Sequence, residues 1–279
     1  MVLKSYSKIN LSLSINSKLN NGLHEIQSYF CLIDLCDKIK ISKIKKNKDK
    51  IIFKGFFSKH INKSNNSIIN ILRLLRKLKL VSNYYSVSII KNIPVFSGLG
   101  GGTSNAFFIL KFLLKKKKIA KNLLNKIEKL IGSDLRLFFH KQGFLENLKT
   151  VKVAKKNQKL IFLLSRPNIN CSTRSIYSIV NKYSKKTKFS FSKINTKKKF
   201  INHILNSKNE LQSIVEKKYP KIKKLLTAIK DEKGCYLSRM SGSGSVCYGL
   251  FNNEKSAKKA LDKIKKKYPK FWFSIAKTI

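Results

Sequence analysis

Pro94-Val95-Phe96-Ser97-Gly98-Leu99-Gly100-Gly101-Gly102-Thr103-Ser104-Asn105-Ala106 is the stretch on which the reading of this chain turns. It follows an alternating segment, Tyr84 to Ile90, that predicts a strand stopped at Asn92-Ile93-Pro94. It precedes an apolar run, 106–114, that predicts a helix. Four of the five residues 98–102 are glycine. Glycine tolerates positive φ and lets backbone N–H groups come close to a bound group. A helix start adds unpaired N–H donors and the positive end of the peptide dipole. Strand, glycine loop, hydroxyl pair and helix together predict a phosphate site, with Thr103 or Ser104 donating to phosphate or holding a phosphate-bound Mg²⁺. The stretch is not a Walker A loop, because no Lys precedes Thr103. It is not a dinucleotide fingerprint either, because G-x-G-x-x-G from Gly98 needs a glycine where Thr103 stands. A tight turn that merely packs is the plain alternative.

Around this loop lies an unusual composition. The 279 residues hold 61 Lys and Arg against 13 Asp and Glu, a formal net charge of +48. Only six of the basic residues are Arg. A nucleic-acid binder concentrates basic residues in one patch and uses Arg for bidentate contacts. Here Lys clusters at 43–50, 115–118, 155–159, 185–188, 197–199, 217–224 and 263–270, along the whole chain. Lys, Asn and Ile are all abundant, as A/T-rich codons supply, so the excess is expected to be background. Acids are correspondingly scarce, and each one retained is a better functional candidate than usual. No apolar run approaches the roughly 18 residues that span a bilayer. Five cysteines without a C-x-x-C and four scattered histidines argue against a zinc site and for reduced thiols in a cytoplasmic protein. Residues 1–20 have the acid-free, Ser-rich composition of a transit peptide. A cleavable leader is not expected, because it would remove Lys8, Ile9 and Asn10, which the family resemblance described below implies are part of the chemistry.

The hydrophobic pattern predicts strands over 11–15, 25–35, 37–44, 50–54, 84–90, 136–140, 143–147, 150–154, 159–164, 236–240, 245–251 and 271–277. Helices are predicted over 66–80, with Asn66 or Ser67 as cap, and over 106–114, 119–131, 173–183, 197–206, 208–217, 220–231 and 254–267. No regular β-α-β repeat emerges, so the expected class is α+β in two layered domains, 1–154 and 155–279.

Residues 94–106 resemble the P-x-x-x-G-L-G-S/G-S-S-A phosphate loop of the GHMP kinases, the relatives of galactokinase, homoserine kinase and mevalonate kinase. Four further segments match in order. Ser7-Lys8-Ile9-Asn10-Leu11 resembles A-K-[IL]-N-L, and Asn21-Gly22-Leu23-His24-Glu25-Ile26-Gln27-Ser28 resembles D-G-Y-H-x-[IL]-x-[ST]. Gly132-Ser133-Asp134-Leu135 opens a segment similar to G-[AS]-D-V-P-F-F, and Met240-Ser241-Gly242-Ser243-Gly244 resembles M-[ST]-G-[ST]-G. The combination points to the branch of the family that acts on 4-diphosphocytidyl-2-C-methyl-D-erythritol in the non-mevalonate isoprenoid route.

The resemblance implies a fold, an activity and a set of roles. The fold would be an N-terminal domain like ribosomal protein S5 domain 2 and a ferredoxin-like C-terminal domain. The activity would be transfer of the ATP γ-phosphoryl to the substrate 2-hydroxyl, with Mg²⁺. Asp134 would be the general base and Lys8 the lysine that orients it and steadies developing charge. Pro94, Val95, Phe96, Ser97, Gly98, Leu99, Gly100, Gly101, Gly102, Thr103 and Ser104 would hold ATP, with Asn66 at the adenine and Ser104 toward Mg²⁺. Asn10, His24 and Tyr177 would bind the erythritol part and the cytosine. The chain departs from the family at Leu23, where Tyr is usual, at Phe96-Ser97, where glycines are usual, and at Glu146-Asn147-Leu148-Lys149-Thr150, which lacks the glycines of E-G-x-G-E. Two other readings stand beside this one: a related kinase for homoserine or mevalonate, and a Lys-rich nucleic-acid-binding protein. The implied partners are small molecules, with no membrane, no specific nucleic acid, and a monomer or homodimer.

Overall fold

The computed structural model describes residues 2–115, 119–188, 191–194 and 196–279. The basic run 116–118 lies outside them. Its strands are β1 (Val2–Asn10), β2 (Ser14–Lys18), β3 (His24–Ile44), β4 (Lys50–Lys54), β5 (Tyr84–Ile90), β6 (Gln142–Asn147), β7 (Thr150–Lys152), β8 (Ile161–Arg166), β9 (Cys235–Met240), β10 (Cys247–Phe251) and β11 (Trp272–Lys277). Its α-helices are α1 (Ser67–Lys77), α2 (Gly101–Leu114), α3 (Lys121–Ile131), α4 (Thr173–Tyr177), α5 (Lys197–Leu205), α6 (Glu210–Lys218), α7 (Pro220–Lys230) and α8 (Glu254–Lys267). The content is mixed α and β, with two sheets.

The chain forms two compact units. The first comprises Met1–Ser7, Leu35–Val95 and Gly100–Phe139. In it β4 runs parallel to β5, and β5 pairs antiparallel with residues 38–44 of β3. Tyr85, Val87 and Ile89 point inward from β5 with the period of a half-buried strand. Helix α1 buries Ile68, Ile71, Leu72 and Leu75, which share one face at helical spacing. Its cap is Asn66, whose side-chain oxygen accepts from the Ile68 and Ile69 N–H groups. Helix α2 is buried almost all round from Ser104 to Leu114, which is why its sequence shows little amphipathic period.

The second unit comprises Lys8–Asp34, Phe96–Leu99 and His140–Ile279. Residues 24–27 of β3 pair with β2, and residues 28–31 pair with β6. A separate antiparallel sheet has the order β11-β8-β10-β9. The sheet is buried on both faces: Gly249 and its neighbours Leu163 and Cys247 face α7 and α8, where Gly249 adjoins Ile229, while Phe162, Leu164, Tyr248 and Leu250 fill the opposite face, where the Tyr248 hydroxyl bonds Leu11 O.

Four expectations are corrected here. Residues 25–35 and 37–44 are one strand that runs on through Cys36, with Asp37 fully buried and hydrogen-bonded in place. Residues 133–139 form a 3-10 helix, not a strand at 136–140. Leu135 and Leu137 mimic a period of two, but the turn closes through Leu135 N–H to Gly132 O. Helix α4 stops at Tyr177, and the chain beyond it is irregular, pinned by Ser184 N–H to Ile15 O and Thr187 N–H to Gln27 Oε1. The strand expected at 11–15 instead begins at Ser14, and β1 before it was not anticipated.

Asn253 caps α8 by accepting the Ser256 N–H at 2.8 Å. Asn253→Ala is expected to lower stability by about 1 kcal/mol in urea unfolding and to leave catalysis unchanged.

Candidate active site

In the first unit, Gly100 takes the left-handed conformation (φ 69°) and caps α2, which begins at Gly101. The helix therefore starts earlier than the apolar run suggested, inside the glycine loop. The N–H groups of Gly101, Gly102 and Thr103 lie in the first turn, where no carbonyl of the helix can reach them. Two glycines at this start have different reasons. A Cβ at Gly101 would press on Ile93 Cγ2 at 2.9 Å, whereas one at Gly102 would meet nothing closer than Ser67 Oγ at 3.7 Å. Ser67 Oγ donates to Gly102 O and ties α1 to this turn. Thr103 is half-buried, with its hydroxyl oxygen 3.3 Å from the place a Gly132 Cβ would occupy. Gly132, at φ 134°, stands two residues before Asp134, so the turn that leads to that carboxylate comes close to Thr103. Asp134 itself is half-buried in the first turn of the 3-10 helix.

The other hydroxyl of the pair is turned inward. Ser104 is fully buried; it donates to Tyr6 O and lies 2.7 Å from Ser5 Oγ. Asn66 spends its side-chain oxygen on the α1 cap and its amide on Asn62 O.

In the second unit, residues 96–99 meet the start of the chain and the C-terminal glycine motif. Lys8 N–H donates to Leu99 O, and Val246 N–H donates to Ser97 O. Ser241 is fully buried; its hydroxyl accepts from Asn10 N–H at 3.2 Å and donates to Gly98 O at 3.0 Å. A Cβ on Gly98 would lie 2.0 Å from Ser241 O, so no other residue fits there. Phe96 holds a left-handed φ of 52° with its ring exposed, where a glycine would be unstrained.

Lys8 and Asn10 are 3% and 2% exposed, and Lys8 Nζ donates to Asn10 Oδ1. Asn10 Nδ2 donates to Ser28 Oγ at 2.8 Å, which fixes the amide orientation. Gly242 covers this pair: a side chain there would sit 3.1 Å from Asn10 Oδ1 and 3.5 Å from Lys8 Nζ. Asn209, the cap of α6, donates to both Met240 O and Gly242 O and holds the motif from behind. Sequence reading singled out the glycines but missed Ser241 and Asn209, whose role rests on contacts more than 200 and about 30 residues away.

His24 packs its ring 5.1 Å from Tyr177 and 6.2 Å from Tyr183. Tyr183 was also missed; it is exposed, and reading 173–183 as a helix gave it no role. Leu23 is half exposed. Burial, then the Lys18 charge, holds the His24 pKa below its ordinary value. The neutral ring offers one donor and one acceptor. Among the described residues no cluster of three metal-ligating side chains occurs, and no helix is long and apolar enough to cross a membrane. The five cysteines are free thiols.

Residues 196–270 match the family model for the C-terminal part of GHMP kinases. The chain is 37% identical to the 4-diphosphocytidyl-2-C-methyl-D-erythritol kinase of Pelagibacter ubique (strain HTCC1062), across 99% of this chain and 98% of that one. The chain belongs to the 4-diphosphocytidyl-2-C-methyl-D-erythritol kinase family. The Anaplasma marginale (strain Florida) member of that kinase family is 32% identical over 95% of this chain and 93% of its own. A solved 4-(cytidine 5'-diphospho)-2C-methyl-D-erythritol kinase superposes with a TM-score of 0.73 at 18% identity, covering 99% of both chains. The homoserine kinase of Cytophaga hutchinsonii gives 0.68 at 16% identity, covering 98% of this chain and 94% of that one. At these identities the structural likeness shows the GHMP kinase fold.

The kinase has a pH dependence written into its histidines. Burial lowers the pKa of His24, His140 and His203 below 6.5. On acidification the unfolded chain therefore takes up protons first. The histidines' contribution to stability is constant above about pH 6.5 and falls as the pH drops toward the folded values. The urea midpoint is expected to decrease between pH 7.5 and 5.5, and His24→Gln to shrink that decrease.

Proposed function

We propose that this kinase transfers the γ-phosphoryl of ATP to the 2-hydroxyl of 4-diphosphocytidyl-2-C-methyl-D-erythritol, a step of isoprenoid precursor synthesis. The observation that carries the reading is the open start of α2, where the first-turn N–H groups of Gly101–Thr103 stand beside the glycine that leads to Asp134. Phosphoryl transfer asks for positioned phosphates, neutralised charge and a route for the hydroxyl proton. The segment Pro94–Thr103 supplies the first, with Asn66 as a backbone-fixing cap at its border. Asp134 takes the proton as the hydroxyl oxygen attacks. Lys8, held by Asn10, stabilises the charge that develops. Asn10 faces the erythritol part, and the neutral His24 with Tyr177 recognises the cytosine.

ATP reacts in such kinases with a divalent ion that offsets its phosphate charge. Of the two hydroxyls at the helix start, the half-buried Thr103 suits that ion, because Ser104 is sealed in and already bonded at both sides. Residues 1–154 are proposed as the N-terminal kinase domain and 155–279 as the C-terminal one, acting in the cytoplasm as monomer or homodimer. A different small alcohol is the second reading, and Leu23, where an aromatic is usual, favours it.

A coupled assay of ADP release with ATP, Mg²⁺ and a panel of alcohols tests the proposal. Turnover of the cytidyl substrate, with homoserine and mevalonate inert, is the expected result. Asp134→Asn and Lys8→Met are each expected to reduce kcat by about 100-fold or more in a folded protein. Turnover of another alcohol alone, or full activity in both variants, contradicts it.

A further inference from the structure

Lys91, Asp37 and Asn105 form a buried polar cluster in the first unit that the reaction as described does not use. Lys91 and Asp37 are 2% and 0% exposed on their side chains and form an ion pair. Asn105, in the first turns of α2, joins them: its Oδ1 accepts from Lys91 Nζ and its Nδ2 donates to Asp37 Oδ2, each at 2.9 Å. The other Asp37 oxygen accepts from Asn92 N–H and Ile93 N–H, just before the glycine loop. From Asn105 the bonds run on as a chain, Nδ2 to Ser5 Oγ, Ser5 Oγ to Ser104 Oγ, Ser104 Oγ to Tyr6 O. Every hydrogen-bonding group of the Asp37 carboxylate and the Asn105 amide oxygen is thus engaged.

The cluster abuts the place where α2 begins. A Cβ on Gly101 would lie 2.9 Å from Ile93 Cγ2 and 3.6 Å from Lys91 Nζ. Ile93 is itself held by Asp37. Movement of Lys91 or Asp37 therefore displaces the segment on which Gly101 rests. A buried ion pair is a weak source of stability, since apolar residues of like volume serve as well or better. Its geometric demands, by contrast, select one arrangement of the groups it joins.

We propose that Lys91, acting through Asp37 and Asn105, is a positioning residue for the nucleotide, fixing the direction in which the Gly101–Thr103 N–H groups point. The proposal rests on the phosphate-binding role given to that helix start. The group positioned is the triphosphate, so its loss falls on ATP and spares the alcohol.

Two variants test it with full-length protein: Lys91→Met, and Asn105→Leu, which leaves the ion pair in place and unties only the helix. Wild type is first titrated with a fluorescent ATP analogue; absence of binding there overturns the phosphate reading itself. In each folded variant the KM for ATP is expected to rise at least tenfold while the KM for the alcohol stays within twofold. If both KM values stay at wild-type levels and activity merely tracks the folded fraction, the cluster is structural only and the proposal fails. If Lys91→Met does not fold, Asn105→Leu decides alone.

Discussion

The Ser241 hydroxyl is the constraint on which the arrangement of Lys8, Asn10 and Gly98 in the second unit depends. It accepts from Asn10 N–H and donates to Gly98 O, and it does both with no solvent contact. A buried hydroxyl with both partners met contributes about 1 kcal/mol, but one left unmet costs more. The carbonyl of the same residue lies where any Gly98 side chain would go. Gly98 is therefore fixed by packing as well as by its left-handed backbone. Gly242, one residue on, roofs Lys8 and Asn10, so the C-terminal motif orders two of the residues assigned to chemistry.

The first unit solves a different problem. It must expose three N–H groups of a helix that is otherwise buried. Left-handed Gly100 turns the chain into the helix, Ser67 holds Gly102 O, and the chain from Asn105 through Ser5 and Ser104 anchors the first turns inward. What is left outward is the backbone itself, whose dipole favours an anion. In a protein of net charge +48 the surplus Lys adds a diffuse attraction for polyanions. The directed part comes from the backbone.

Much of this was legible in the sequence because it is local. The glycine loop, the Asn66 cap and the alternation of β5 each depend on neighbours within a few residues, and the structure has them where expected. What was not legible depends on distant partners. The family motif led to Asp134, whereas Asp37, as scarce an acid, was read only as part of the strand 37–44. Its partners Lys91, Asn92 and Asn105 lie more than 50 residues away. Ser104 was read as facing phosphate because its hydroxyl adjoins the loop; Ser5 and Tyr6, from β1, turn it inward. Tyr183 was read as the end of a helix, and its place beside His24 comes from the hydrogen bonds that pin residues 184–187 to β2 and β3.

The claim that one buried hydroxyl orders Lys8, Asn10 and Gly98 is tested most directly by steady-state kinetics of Ser241→Ala. The account predicts a kcat reduced about tenfold or more, with a melting temperature lowered by only a few degrees. A Ser241→Ala enzyme with wild-type kcat and the same small loss of stability would contradict it.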